Sequence, residues 1–89
     1  MKFHVDARLV PGADIQPRLA DEQRRIRELY DDGFIEQLFR REDATGAWLI
    51  VSADDEDSAN LQLDTLPFVE IGIMTMELSA IEPLDITTL

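Results

Sequence analysis

The chain has no cysteine, one histidine, and fewer than half as many basic as acidic residues. Each shortage removes a class of chemistry. Without cysteine there is no disulfide scaffold, no thiol nucleophile and no thiolate metal site. A lone His4 rules out a multi-histidine metal site within one chain, so any chemistry must come from carboxylates, arginines, hydroxyls or that one histidine. Eight Lys and Arg against nineteen Asp and Glu leave a formal charge of -11, which repels a phosphate backbone and speaks against a nucleic-acid partner. No run of about 18 apolar residues is there to span a membrane, and Met1–Leu9 lacks the layout of a secretory signal. The reading is a cytoplasmic protein with no membrane partner.

What is present is a chain of 89 residues, 45% hydrophobic and 30% charged, the balance of a soluble globular protein. Residues 1–89 make one domain with one two-layer core. They are too few to enclose a large pocket comfortably without a partner chain, so a homodimer or larger homo-oligomer is expected. Lys2–Leu9 alternates as a half-buried strand, Phe3, Val5, Ala7 and Leu9 against Lys2, His4, Asp6 and Arg8. Pro11-Gly12 breaks it. Asp14 as N-cap, Pro17 in the first turn and Gly33 as the left-handed terminator predict a helix reaching about Asp32. At about 100° per residue, Leu19, Glu22, Gln23, Ile26, Leu29 and Tyr30 share one arc of it, with Arg18 and Arg25 at the edge. A carboxylate thus lies within the face that seeks the core, and burial of an unpaired charge costs several kcal/mol. It is paired with an arginine, left wet, or used for chemistry.

Beyond Gly33, Phe34–Arg41 and Ala47–Ala53 read as a hairpin around the polar turn Glu42–Gly46. Asp54–Asp57 precedes a short amphipathic segment, Ser58–Thr65, where acidic side chains suit the positive end of a helix dipole. Leu66-Pro67 closes that helix, and Val69–Leu78 reads as a last strand, apolar on both faces. The tail Ser79–Leu89, with Ile81, Leu84, Ile86 and Leu89, is greasy enough to clasp a neighbouring subunit. Strand, helix, strand, strand, helix, strand is the order of the ferredoxin-like α+β unit, with two helices on one face of a four-stranded antiparallel sheet. The open face is expected to be apolar in the third and fourth strands and to be covered by a twin sheet, giving a dimeric α+β barrel.

In that order of elements the chain resembles muconolactone isomerase and its relatives among the dimeric α+β barrel proteins. The likeness is carried by Phe3-His4-Val5, by Glu22, Arg25 and Glu28-Leu29 on the helix, by Gly33, by Leu38-Phe39-Arg40 where the family tends to have Leu-Trp-Arg, by Gly46, and by Leu66-Pro67. The chain departs from the family pattern at Phe34-Ile35, at Gln37 and at Phe68-Val69-Glu70. The resemblance implies a cofactor-free isomerase that moves a proton within an unsaturated lactone or related small carbonyl compound. It places Glu22 on the family's helix glutamate, and Arg25 and Arg40 on its recurring arginines.

Such a reaction needs a base beside a carbon acid and a cation for the substrate carboxylate, within dry walls. Glu22 is the candidate base, with Arg18, Arg25, Arg40, Trp48 and Tyr30 as candidate substrate contacts. The bland alternative has Glu22 held in ion pairs with Arg18 and Arg25, four residues before and three after it. His4 and Asp6, about 7 Å apart on one strand face, form a secondary pair expected on the opposite side of the sheet from Glu22. Met74 and Met76 suit a pocket or a sheet-to-sheet interface, with the interface favoured. Two other functions stay open, since a fold does not choose its chemistry. One is a cofactor-independent monooxygenase or cyclase of aromatic polyketide type, whose pocket would be larger, more aromatic and less charged. The other is a non-catalytic binding or assembly module, with Glu22 fully paired and no cavity beneath the helices.

Overall fold

The alternating segment at the start of the chain becomes an inner strand of a sheet. In the computed structural model, which describes every residue from Met1 to Leu89, the elements are β1 (Lys2–Leu9), α1 (Leu19–Asp31), β2 (Ile35–Arg40), β3 (Gly46–Ser52), α2 (Glu56–Leu63), α3 (Pro67–Glu70) and β4 (Met74–Ile81). The strands pair antiparallel in the order β2-β3-β1-β4, the ferredoxin-like arrangement. The helices cover one face. Phe3, Val5 and Val51 from the sheet, Leu29 from α1, Leu63 from α2 and Leu66 are fully buried there. No helix is long and apolar enough to cross a membrane.

Three boundaries differ from the sequence expectation, each for a local reason. Asp14 does accept a hydrogen bond from the Gln16 amide at 3.1 Å, but it opens only a 3-10 turn, Gln16–Arg18, around Pro17. Arg18, with φ -118°, departs from α-helical geometry, so α1 begins at Leu19. At the other helix the acidic run caps as expected. The Asp55 side chain accepts from the Ser58 amide at 2.7 Å, with Glu56 and Asp57 in the first turn, and α2 starts at Glu56.

The third difference is the largest. Pro67 does not close a helix; it starts one. Its missing N–H is harmless at the first helical position, Leu66 caps it in extended conformation, and Pro67–Glu70 forms α3. Gly72, at φ +75°, turns the chain out of that helix. Val69, Ile71 and Ile73 therefore lie outside β4, which starts at Met74 and takes Ser79–Ile81 from the expected tail. The expected apolar open face fails for this strand. Its outward positions are Thr75, Glu77, Ser79 and Ile81, while Met74, Met76, Leu78 and Ala80 pair with the helix-side residues of β1. On β3 the open face does carry Trp48 and Ile50, paired with Asp6 and His4.

In β2 the pairing skips from Ile35↔Val51 to Gln37↔Ile50, a bulge that leaves Glu36 as an extra residue. Two successive side chains then share the open side, and the alternation is reset. Leu38 and Arg40, opposite Leu49 and Ala47, turn to the helix face. The bulge aims Arg40 at the space under α1.

Candidate active site

Glu22 follows from the helical arc and is 4% exposed, the charged residue of the core. Its Oε1 accepts a hydrogen bond from the Phe68 amide at 3.0 Å, joining α1 to the first turn of α3. The ion pairs of the alternative reading, with Arg18 and Arg25, do not form. Arg18 Nε lies 3.4 Å from Asp21 Oδ2. Arg25 Nε donates to Thr65 Oγ1 at 2.9 Å, and its Nη1 reaches Glu28. Both arginines sit at the helix edge, where a nearer carboxylate in solvent costs less to reach than one inside the core. Oε2 of Glu22 accepts no hydrogen bond from the protein, and the residue lines a cavity. Burial pushes the Glu22 carboxyl above its ordinary value of 4.5; the Phe68 amide and the Arg18 charge oppose the shift without cancelling it.

The cavity, of about 380 Å³, lies between α1 and the sheet. Leu19 and Ile26 form its roof, Phe68 one side, and Ala47 its floor, with the fully buried Ala7 beneath. Arg40 lines it from β2 while remaining exposed. Each of the other seven basic side chains is within ion-pair distance of a carboxylate, on Glu36, Asp6, Asp21, Glu28 or Asp31. Arg40 has none. A cation without a counterion at the mouth, and a carboxylate with a free oxygen inside, face the same apolar space.

The remaining candidates lie elsewhere. Trp48 is on the open face of the sheet, its ring under the Arg41 guanidinium at 4.0 Å. Arg41 also pairs with Asp6. Desolvation raises the Asp6 carboxyl, but the hydrogen bond and charge of Arg41, with the charge of Arg8, outweigh it and hold the group below its ordinary value. His4 shares that face, between Ile50 and Ser79, so His4 and Asp6 are on the opposite side of the sheet from Glu22. Tyr30 is 55% exposed and away from the cavity. Met74 and Met76 are not on the open face favoured for them; they line the cavity. The Phe68 amide was invisible to side-chain reasoning, and the Ala47 floor, with the buried Ala7 beneath, emerges only once the two strands are in register.

The family model for muconolactone delta-isomerase matches residues 1–85. The chain belongs to that family. Within the solved structures, a muconolactone isomerase crystal structure superposes with a TM-score of 0.79 at 20% identity, covering 97% of this chain and 95% of that one. A 5-chloro-2-hydroxyhydroquinone dehydrochlorinase from Burkholderia phenoliruptrix AC1100, in complex with 2,5-dihydroxybenzoquinone, superposes with a TM-score of 0.70 at 18% identity, covering 92% and 94%. No curated protein sequence matches the chain. At these identities the two structures speak for the muconolactone delta-isomerase fold of the chain. The chemistry rests on its own side chains.

Proposed function

We propose that this muconolactone delta-isomerase family member is a cofactor-free proton-shift isomerase acting on an unsaturated lactone, or related small carbonyl compound, that carries a carboxylate. The observation behind this is the shared cavity: a desolvated carboxylate with one oxygen free, and an arginine with no internal counterion. Arg40 binds the substrate carboxylate by charge-assisted hydrogen bonds. Glu22 Oε2 takes a proton from the carbon next to the conjugated system, and the electron pair of that C–H bond passes into the carbonyl. The protonated Glu22, whose acidic proton exchanges with solvent, delivers a proton at the other end of the conjugated system, so the double bond moves and the composition of the substrate is unchanged. A raised pKa makes Glu22 a stronger base than a carboxylate in water, and apolar walls strengthen both interactions.

The lining favours this reading over a monooxygenase or cyclase, because Phe68 is its one aromatic side chain and two charges face the space. An inert module is disfavoured by the cavity itself and by the unpaired oxygen. The proposal includes self-association through the open sheet face, where Phe39, Trp48, Ile50 and Ile81 leave apolar surface uncovered in a single chain. Leu84, Ile86 and Leu89 of the tail are 69%, 81% and 86% exposed, and a clasp around a twin would cover them.

The test is Glu22→Gln. The amide oxygen of Gln can still accept from the Phe68 amide, so the fold is kept. Proton exchange into a panel of lactones, followed by NMR in heavy water, should fall by about 10²–10⁴-fold. Exchange at the wild-type rate would remove Glu22 from the mechanism.

A further inference from the structure

The cavity is larger and drier than a bare lactone acid requires, and the excess has a definite address. This inference rests on the proposal that Glu22 and Arg40 act on a lactone carboxylate. Along the helix side of β1 and β3 the pairs are Phe3↔Val51, Val5↔Leu49 and Ala7↔Ala47. The first two pairs fill the layer beneath the helices, and the third steps down to two methyl groups. Met76, opposite Ala7 on β4, and Met74 border the hollow.

Counted generously at one water volume, about 30 Å³, per non-hydrogen atom, a five-membered lactone with an acetate arm occupies about 300 Å³. That is less than the cavity of about 380 Å³, so its apolar wall beyond the acid is free to meet a small substituent. Apart from Glu22, Gln23 and Arg40 the lining offers hydrocarbon, thioether and aromatic side chains. With Arg40 engaged by the first carboxylate, a second anionic group would have no counterion and would be left desolvated. Thioether side chains adapt readily to an alkyl group.

We propose that the hollow over Ala47, bordered by Met74 and Met76, with the fully buried Ala7 beneath it, is a subsite for an apolar ring substituent. The substrate class is a lactone with one carboxylate and a short alkyl group. Ala47 and Met76 are then specificity-determining residues, and the small side chain at Ala47 serves substrate selection as well as packing.

Calorimetric binding of saturated lactone acetates bearing hydrogen, methyl, ethyl or propyl on the ring tests this without relying on turnover. Affinity should rise about fourfold per added methylene, the binding equivalent of ~0.8 kcal/mol, until the hollow is full. Ala47→Val, which narrows the floor, should weaken the propyl compound at least about tenfold more than the bare one. Met76→Ala, with its fold checked by circular dichroism, should shift the preference to longer groups. Equal affinity along the series, no binding of any member, or tighter binding of a ring carboxylate than of a ring alkyl group would overturn the subsite. The unsaturated counterparts separate the two proposals. An alkyl preference in binding without proton exchange defeats the isomerase reading and keeps the subsite, whereas exchange without alkyl preference does the reverse.

Discussion

A carboxylate that folding draws into an apolar cavity is a stronger base and a poorer stabiliser than one in water, and both consequences apply to Glu22. Its raised pKa means that the folded protein holds this proton more tightly than the unfolded chain. Stability from this group is therefore fully present below the unfolded value of 4.5 and is lost as pH rises through the folded one. The proposed activity would run the other way, because a carboxylate acting as base must be ionised. The acid limb of kcat/KM should lie above pH 4.5, and urea unfolding should show Glu22→Gln gaining on the wild type as pH rises from about 4 to 7. A limb at or below the ordinary carboxylate value would mean that Glu22 is wet. For Arg40, replacement by Ala should raise KM for a carboxylated lactone on the order of tenfold to hundredfold, the worth of a charged hydrogen bond, with kcat less affected. The matching methyl ester should show no such loss. Glu22 was legible in the sequence because a charge within an apolar helical arc is conspicuous. Its partner was not, because the Phe68 amide belongs to the backbone and lies 46 residues away.

At the scale of elements, β2 and β3 show how little of a site is written in periodicity. Strict alternation from Ile35 would send Arg40 to the open face; the Glu36 bulge brings it to the helix side, opposite Ala47. No residue type announces a bulge, because it arises when the strand must satisfy its pairing with β3 and its buried start together. The close approach of β1 and β3 near the cavity floor makes a second demand. A Cβ at Gly46 would run into the Ala7 carbonyl oxygen, and since that obstacle is backbone the neighbour cannot swing aside. Gly46→Ala should lower stability by ~1–3 kcal/mol, read from the shift in the urea midpoint. An unshifted midpoint would show that the strands separate there at no cost. The wrong start for β4 has a similar origin. Apolar Val69, Ile71 and Ile73 fit a strand by composition, while Pro67 and Gly72, the residues that bend the chain into α3, carry the decisive information.

For the molecule as a whole, helices protect one face of the sheet and the other carries a mixture of ion pairs and exposed aromatic surface. Removing residues 83–89 should weaken the proposed self-association by at least about tenfold, seen by sedimentation equilibrium, while leaving the circular dichroism of the domain unchanged. A full-length chain that sediments as a monomer at all concentrations would dispose of both the twin sheet and the clasp. The sequence by itself determined the order of the elements, the helix face that enters the core and the absence of thiol chemistry, because these depend on short-range periodicity, on turn residues and on which side chains exist. Only the tertiary structure decided that Arg40 shares a cavity with Glu22, that Ala47 forms its floor above the buried Ala7, that the methionines face inward, and that Trp48 does not line the cavity. Each of those depends on strand register and on one inserted residue. A one-residue change of register turns every later side chain to the other face, so local pattern cannot convey what the pairing of distant segments sets.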